Sequence, residues 1–129
     1  MINSANLADT LLKHKLWLDG QTGGVRADLT RADLTGAILT HAILTHADLH
    51  RADLAGANLT DADLIGADMS GAFFRYAVMT GANLTGANLS KADLTGANLS
   101  GAIFRYAVMT GANMSKVDLT DAIGVDMTS

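Results

Sequence analysis

From Ala27 to Asp121 the chain repeats every five residues, as in Ala27-Asp28-Leu29-Thr30-Arg31 and Ala32-Asp33-Leu34-Thr35-Gly36, through 19 successive pentads. A period of five suits neither regular element. On a continuous helix each step of five advances about 500°, equivalent to about 140°, so the leucines scatter round the axis and no apolar face forms. On a continuous strand an odd step sends successive leucines to opposite faces. The chain must turn once per pentad. Counting from the large central residue i, position i−2 is Ala in 18 of the 19 pentads, with Val117 the exception. Position i is Leu in 13, Met in four (Met69, Met79, Met109, Met114) and Phe in two (Phe74, Phe104). These positions lie two apart, share one side of a short extended segment and form the core. Position i−1 is Asp or Asn in 13 pentads, i+1 is Ser or Thr in 14 and i+2 is Gly in nine, so these three face outward and carry turn chemistry.

One pentad cannot stand alone. Ordering five residues costs about 5 to 10 kcal/mol of backbone entropy, while one buried Leu returns about 1.5 to 3. Coils stacked ~4.8 Å apart gain hydrogen bonds and a continuous Leu/Ala column, which is why such repeats occur in runs. The expected fold class is an all-β solenoid. The remaining composition narrows function by exclusion. The 129 residues hold no Cys or Pro, and 13 Asp against 9 Lys+Arg give a net charge of −4. Disulfides and thiolate chemistry are ruled out, a cytoplasmic location is the default, and direct nucleic-acid binding is disfavoured. No run of 18 apolar residues and no basic start before an apolar stretch occurs, so neither a membrane span nor a signal peptide is expected.

The pattern Ala-(Asp/Asn)-Leu-(Ser/Thr)-Gly resembles the pentapeptide-repeat family over about three quarters of the chain. The resemblance implies a right-handed quadrilateral β-helix with four pentads per 20-residue coil. On that basis the chain divides into an N-terminal capping helix and loop (1–26), a β-helix of nearly five coils (27–121) and a degenerate C-terminal coil (122–129), in which Gly124 supplies no core side chain. In the first segment Asn3 or Ser4 caps a helix over roughly 4–15 carrying Leu7, Leu11 and Leu12, which serves as a lid on the first coil. Leu16-Trp17-Leu18 reads as extended, Trp17 packs on the open end, and His14 reads as a surface residue. The other end lacks a cap of any length. Self-association is therefore expected through Met109, Met114, Leu119 and Ile123, and dimerisation at this end in gyrase-inhibiting members of the family agrees.

With a 20-residue coil, residues 20 apart stack. Acid then concentrates on two neighbouring sides, at Asp28, Asp48 and Asp68 and at Asp33, Asp53 and Asp93. Apolar residues Ile38, Ile43, Val78, Ile103 and Ile123, with Ile65 and Val125, concentrate on the other two. Two readings stay open for them: a contact surface, or β-branched residues on a tolerant exterior. The segments Phe73-Phe74-Arg75-Tyr76-Ala77-Val78 and Ile103-Phe104-Arg105-Tyr106-Ala107-Val108 are near copies 30 residues apart, one and a half coils, so they lie on opposite sides. Phe73, Arg75, Tyr76, Val78, Ile103, Arg105, Tyr106 and Val108 have the composition of binding hot spots, although recent internal duplication explains the likeness equally.

Enzymatic chemistry has little to rest on. There is no Glu, no Ser or Thr has a local base, and the glycines follow the repeat and form no phosphate loop. No catalytic residue and no cofactor is expected. His41, His46 and His50 cluster on successive turns as a weak metal candidate. The Thr40, Thr60, Thr80, Ser100, Thr120 column resembles an ice-binding ladder but lacks a regular lattice. Two functions remain: a non-catalytic module binding a protein partner of unknown identity, and a DNA mimic acting on gyrase like the quinolone-resistance members of the family. Charge density separates them. Five coils span roughly 24 Å, over which B-DNA carries about 14 negative charges. Residues 26–126 carry 11 Asp against 7 Lys+Arg, and Arg31, Arg51 and Lys91 sit beside the acidic columns. The protein-binding module is the favoured reading.

Overall fold

The computed structural model describes residues 3–126. Each pentad closes with a four-residue turn, in which the N–H of i+3 donates to the carbonyl of i; Ala52 to Leu49 at 3.0 Å is typical. Every i+2 residue from Arg31 to Asp121 has φ between +57° and +74°, the left-handed third position that a type II turn demands. Glycine adopts this conformation without strain, whereas the non-glycine residues there, among them Arg51, Tyr76 and Lys116, each hold it against roughly 1 to 2 kcal/mol. Where Val117 replaces alanine, the turn bond to Met114 stretches to 3.3 Å, against 2.9 to 3.1 Å elsewhere. The inner corner admits a methyl group and little more.

The i−1 residues pair in parallel with those 20 positions on, from Asp28 with Asp48 to Ile103 with Ile123, so four pentads make one coil. Three backbone bonds join each pentad to the next coil. In one pentad they are Leu49 N–H to the Asp68 carbonyl (2.7 Å), Asp68 N–H to Ala47 (3.0 Å) and Arg51 N–H to Ser70 (3.0 Å). That accounts for four of five N–H groups, the turn included. The fifth, on i+1, is satisfied by a side chain: in all 13 pentads with Asp or Asn at i−1, its Oδ1 accepts that N–H at 2.9 to 3.1 Å. Ser or Thr at i+1 often adds its hydroxyl, as Ser70 Oγ does to Asp68 at 2.6 Å. The i−1 preference is thus backbone accounting as much as solvation. Inside, Leu29 through Phe104 and the alanines from Ala47 to Ala102 form a single buried column.

Ahead of the coils, α1 runs Ser4–Leu18, with the Asn3 side chain accepting the Asn6 N–H at 2.9 Å. It is longer than the sequence suggests. Leu16, Trp17 and Leu18 are helical because nothing breaks the helix before Asp19, whose N–H bonds to the Lys15 carbonyl; Gly20 then turns left-handed and gives its N–H to the Trp17 carbonyl. Leu7 and Leu11 pack on the first coil, but Leu12 points to solvent at 59% exposure. His14, expected at the surface, is wholly buried between helix and coil, and Trp17 stacks on its ring at 5.5 Å while remaining partly exposed. The loop returns so tightly that a Cβ on Gly24 would collide with the Trp17 backbone. At the far end Met109 is buried but Met114 and Leu119 are only half covered. The ladder continues to Ile123 before Gly124 turns away with φ +75°, and Val125, expected on an outer side, packs inward on the core. Residues 127–129 of the degenerate coil lie outside the described residues.

Glycine at i+2 serves a second purpose where the coil before it has a large corner residue. A Cβ on Gly96 would lie 2.6 Å from the Tyr76 ring, and one on Gly66 would meet the His46 ring, whereas Gly86 faces open space. Gly86→Ala should therefore lose about 1 kcal/mol, the conformational strain alone. Gly96→Ala should lose more, and a Tyr76→Ala background should remove the excess; a urea-denaturation double-mutant cycle reads the coupling. A second expectation concerns the turn carboxylates. Asp68→Asn keeps the Oδ1 acceptor and should hold stability at pH 7 within about 0.5 kcal/mol, while Asp68→Ala should lose about 1. The hydrogen bonds of Thr30, Thr35, Thr95 and Thr120 hold Asp28, Asp33, Asp93 and Asp118 below the ordinary carboxylate value of 3.8. Their contribution is present above that value and lost as pH falls through the lowered ones, so unfolding followed by circular dichroism should steepen below about pH 4.

Candidate protein-interaction site

The 20-residue coil places the two near-copied segments on diagonally opposite corners. Phe73 pairs with Asp53 and Asp93, and Val78 with Asn58 and Asn98, so Tyr76 stands at the corner between those two sides. Ile103 pairs with Asn83 and Ile123, and Val108 with Asn88, which puts Tyr106 at the opposite corner. Both tyrosines occupy left-handed turn positions, φ +59° and +63°, and project outward for that reason. Phe73, Val78 and Val108 are exposed, and Ile103 is half-buried.

Equal sequences stand in unequal surroundings. Arg75 Nε donates to Asp93 Oδ2 at 2.6 Å, and this bond with the carboxylate charge raises the guanidinium pKa further. Tyr76 lies over Gly96. At the other corner the residue 18 positions after Arg105 is Ile123, in the column of Ile103, so no carboxylate stands where Asp93 stands for Arg75. Arg105 instead lies along Gly124, whose absent Cβ leaves it room. Tyr106 is 88% exposed against 68% for Tyr76. Phe104, Arg105, Tyr106, Val108, Gly124 and Asp126 line an open cavity of about 570 Å³ beside it. Ile123 stacks beyond Ile103 to extend the apolar rim.

The acidic columns form as expected, but their carboxylates are engaged. Asp28, Asp33, Asp48, Asp53, Asp68 and Asp93 each commit Oδ1 to the N–H two residues on, and Asp93 gives its other oxygen to Arg75. Burial opposes the charge on Asp68, yet the hydroxyl and N–H of Ser70 outweigh it and lower its pKa. The histidine cluster does not assemble. His41 Nδ1 stands 4.0 Å from Asp61 Oδ2, His50 Nδ1 bonds Ser70 Oγ at 2.8 Å, and His46 lies over Gly66. Among the described residues no three metal-ligating side chains gather. The residue that sequence reasoning missed is His14, for which the only signal was a polar residue one turn from Leu11 on the helix face that turns to the coil. No helix of the described residues is long and apolar enough to cross a membrane.

The repeat is matched by the family model described as pentapeptide repeats, in eight copies over residues 25–61, 57–96 and 82–121. Among solved structures, a pentapeptide repeat protein from the Arabidopsis thaliana thylakoid lumen is 32% identical, with TM-score 0.74 over 78% of this chain and 70% of that one. The pentapeptide repeat protein Rfr23 of the cyanobacterium Cyanothece 51142 is 38% identical, with TM-score 0.53 over 74% of this chain and 58% of that one. QnrB1, a plasmid-mediated fluoroquinolone resistance protein, is 20% identical, with TM-score 0.35 over 74% and 71%. Compared with curated proteins, the chain finds no match. The five-residue repeat, its 20-residue coil, the family-model match and the likeness to the Arabidopsis structure agree: the chain belongs to the pentapeptide-repeat family and has its right-handed quadrilateral β-helix fold.

Proposed function

We propose that this chain is a non-catalytic, protein-binding module: a β-helix of nearly five coils, capped at its start by α1, that offers the Tyr106 corner to a partner. The observation that carries this reading is the asymmetry of the two corners. Arg75 is paired with Asp93 and Tyr76 lies on the next coil, whereas Arg105 and Tyr106 stand beside an open apolar cavity. Tyrosine and arginine on an apolar rim are the residues through which a protein surface is gripped, and the Arg105 guanidinium, without the counterpart that Asp93 is to Arg75, favours a partner with a carboxylate at the centre of its contact. The gyrase-directed alternative rests on the stacked Asp28, Asp48 and Asp68, and it ranks second because Arg31, Arg51 and Lys91 run beside them. Residence in the cytoplasm belongs to the same proposal; the Arabidopsis relative is a thylakoid-lumen protein, and cell fractionation distinguishes the two.

Capture from the source cell, with partners identified by cross-linking, tests the corner. Arg105→Ser with Tyr106→Ser should weaken binding about 30-fold or more, the loss of a hot spot worth about 2 kcal/mol, while Arg75→Ser with Tyr76→Ser should change it little. Equal effects from both pairs would remove the distinction between corners. Capture of gyrase, abolished by neutralising Asp28, Asp48 and Asp68, would promote the alternative. Half-covered Met114 and Leu119 also support self-association through the last coil, and Leu119→Lys should reduce the sedimentation mass at pH 7.5 to that of a monomer.

A further inference from the structure

His14 stands in for a missing coil. In the repeat, the carbonyl of each i+1 residue accepts an N–H from the preceding coil, and each i−2 N–H closes a turn. For Thr45 and Ala27, at the start of the solenoid, the imidazole supplies both. Nε2 donates to the Thr45 carbonyl at 2.8 Å, and the Ala27 N–H donates to Nδ1 at 2.9 Å. A ring that accepts at Nδ1 and donates at Nε2 is neutral and in one tautomer. A proton on Nδ1 would set two donors face to face inside a wholly buried contact. The charged groups around the ring add to the effect: Arg26 on the loop and His46 on the first coil are both basic. On the helix itself, Lys13 is paired with Asp9 and Lys15 with Asp19, so neither acid is free to stabilise an imidazolium.

Little else holds α1. Leu7 and Leu11 pack on the coil, one backbone bond joins Val25 N–H to Lys13, and an open cavity of about 450 Å³ remains between the helix and residues 33–38. Removing α1 would uncover a first coil whose outward carbonyls, Asp28 and Thr30 and their equivalents on the next sides, follow the register that every internal coil presents to the one before. The last coil offers the complement. Among the described residues the N–H groups of Met109, Gly111, Met114, Lys116, Leu119 and Asp121 have no acceptor. Residues 28 and 108 share a column, so a second copy would continue the ladder without rotation.

We propose that His14 is a proton-operated latch: its protonation undocks α1 and opens the first coil to the last coil of a second copy, so that molecules join head to tail. The proposal shares the open last coil with the neutral-pH dimer above but predicts open-ended growth on acidification. Burial lowers the His14 pKa from its ordinary 6.5, with Arg26 and His46 lowering it further against the Thr45 bond. The unfolded or undocked ring therefore takes the proton first, and docking is strongest above about 6.5 and weakens as pH falls below it. Head-to-tail contacts of this kind do not close, and growth continues with concentration.

The single tryptophan, Trp17, stacks on His14 and reports docking directly. Between pH 7.5 and pH 5, above the range in which the turn carboxylates titrate, Trp17 emission should shift to the red and sedimentation should show species that grow with concentration, the two with one midpoint. His14→Gln, whose amide offers an acceptor and a donor without titrating, should abolish both while keeping any dimer at pH 7.5. Leu119→Lys should keep the red shift and lose the growth. If His14→Gln does not fold, amide exchange on the unaltered protein decides, because the Ala27 amide should lose protection along the same curve. An emission spectrum constant to pH 5, an unchanged midpoint in His14→Gln, growth that survives Leu119→Lys, or a red shift without growth would each overturn the proposal. Loss of the neutral-pH dimer alone would count only against the reading of the last coil as a dimer surface.

Discussion

The structure depends on one recurring constraint, the left-handed residue that closes each pentad. With φ near +60° at i+2, the chain turns a corner within four residues, four corners closing one coil, and sends the next alanine inward. Everything else in the pentad follows from where the remaining backbone groups then point. The i−1 and i residues face neighbouring coils and bond to them, and only the i+1 N–H is left without a backbone acceptor. Asp or Asn at i−1 supplies it from two residues away, a distance that suits a short side chain and no longer one. Six pentads lack this acceptor, those with Ile38, Ile43, Phe73, Val78, Ile103 or Val108 at i−1, and they are the apolar outer positions. A side chain that could have completed the turn has been exchanged for apolar surface. That exchange lowers local stability, and it is concentrated at the two Arg-Tyr corners and on the sides leading to them.

How far the sequence was legible follows from the same constraint. A five-residue period excludes helix and strand by arithmetic, and the Leu/Ala pair identifies the core, because both signals repeat 19 times. The four-sided coil needed the family resemblance, since a turn every five residues does not state how sharply each turn bends. Non-repeated features were read less well. His14 has the composition of a surface residue, and its burial depends on a contact with Thr45, 31 residues away, that no local pattern announces. Leu16-Trp17-Leu18 suggests a strand by residue type, but a helix with a capped start and no breaker simply continues to Leu18. The histidine cluster failed as a metal site because neighbouring turns face different sides. Periodic residues reveal themselves by repetition, whereas single contacts must be seen.

The duplicated segment shows how a solenoid makes new surfaces. Copying Phe-Arg-Tyr-Ala-Val-Met over 30 residues preserves the inside, since 30 is a whole number of pentads, but moves the outside by half a coil to a different set of neighbours. Arg75 meets Asp93 at its new address and Arg105 meets none at the corresponding place. The core cannot distinguish the two copies, because Phe74 and Phe104 are equally buried. Function on such a rod therefore evolves at the corners with little effect on folding, provided that the residue one coil later can be glycine when a large corner side chain lies over it. Gly96 above Tyr76 satisfies that condition.

The ends obey a different rule. Inside the rod each coil bonds to the coils on both sides, so among the described residues the backbone groups left without a neighbouring coil are those of the first and last coils. A helix is a poor hydrogen-bonding match for a coil edge, because its own backbone bonds are already made along its axis. α1 answers with side chains: leucines cover the Leu/Ala column, and one imidazole replaces two backbone partners at once. An amide offers the same acceptor and donor without responding to pH. Histidine fills both and ties them to a single proton, which makes the closure of the rod as strong as a neutral ring and no stronger. On the proposal above, the first coil is closed by the group most readily altered near neutral pH.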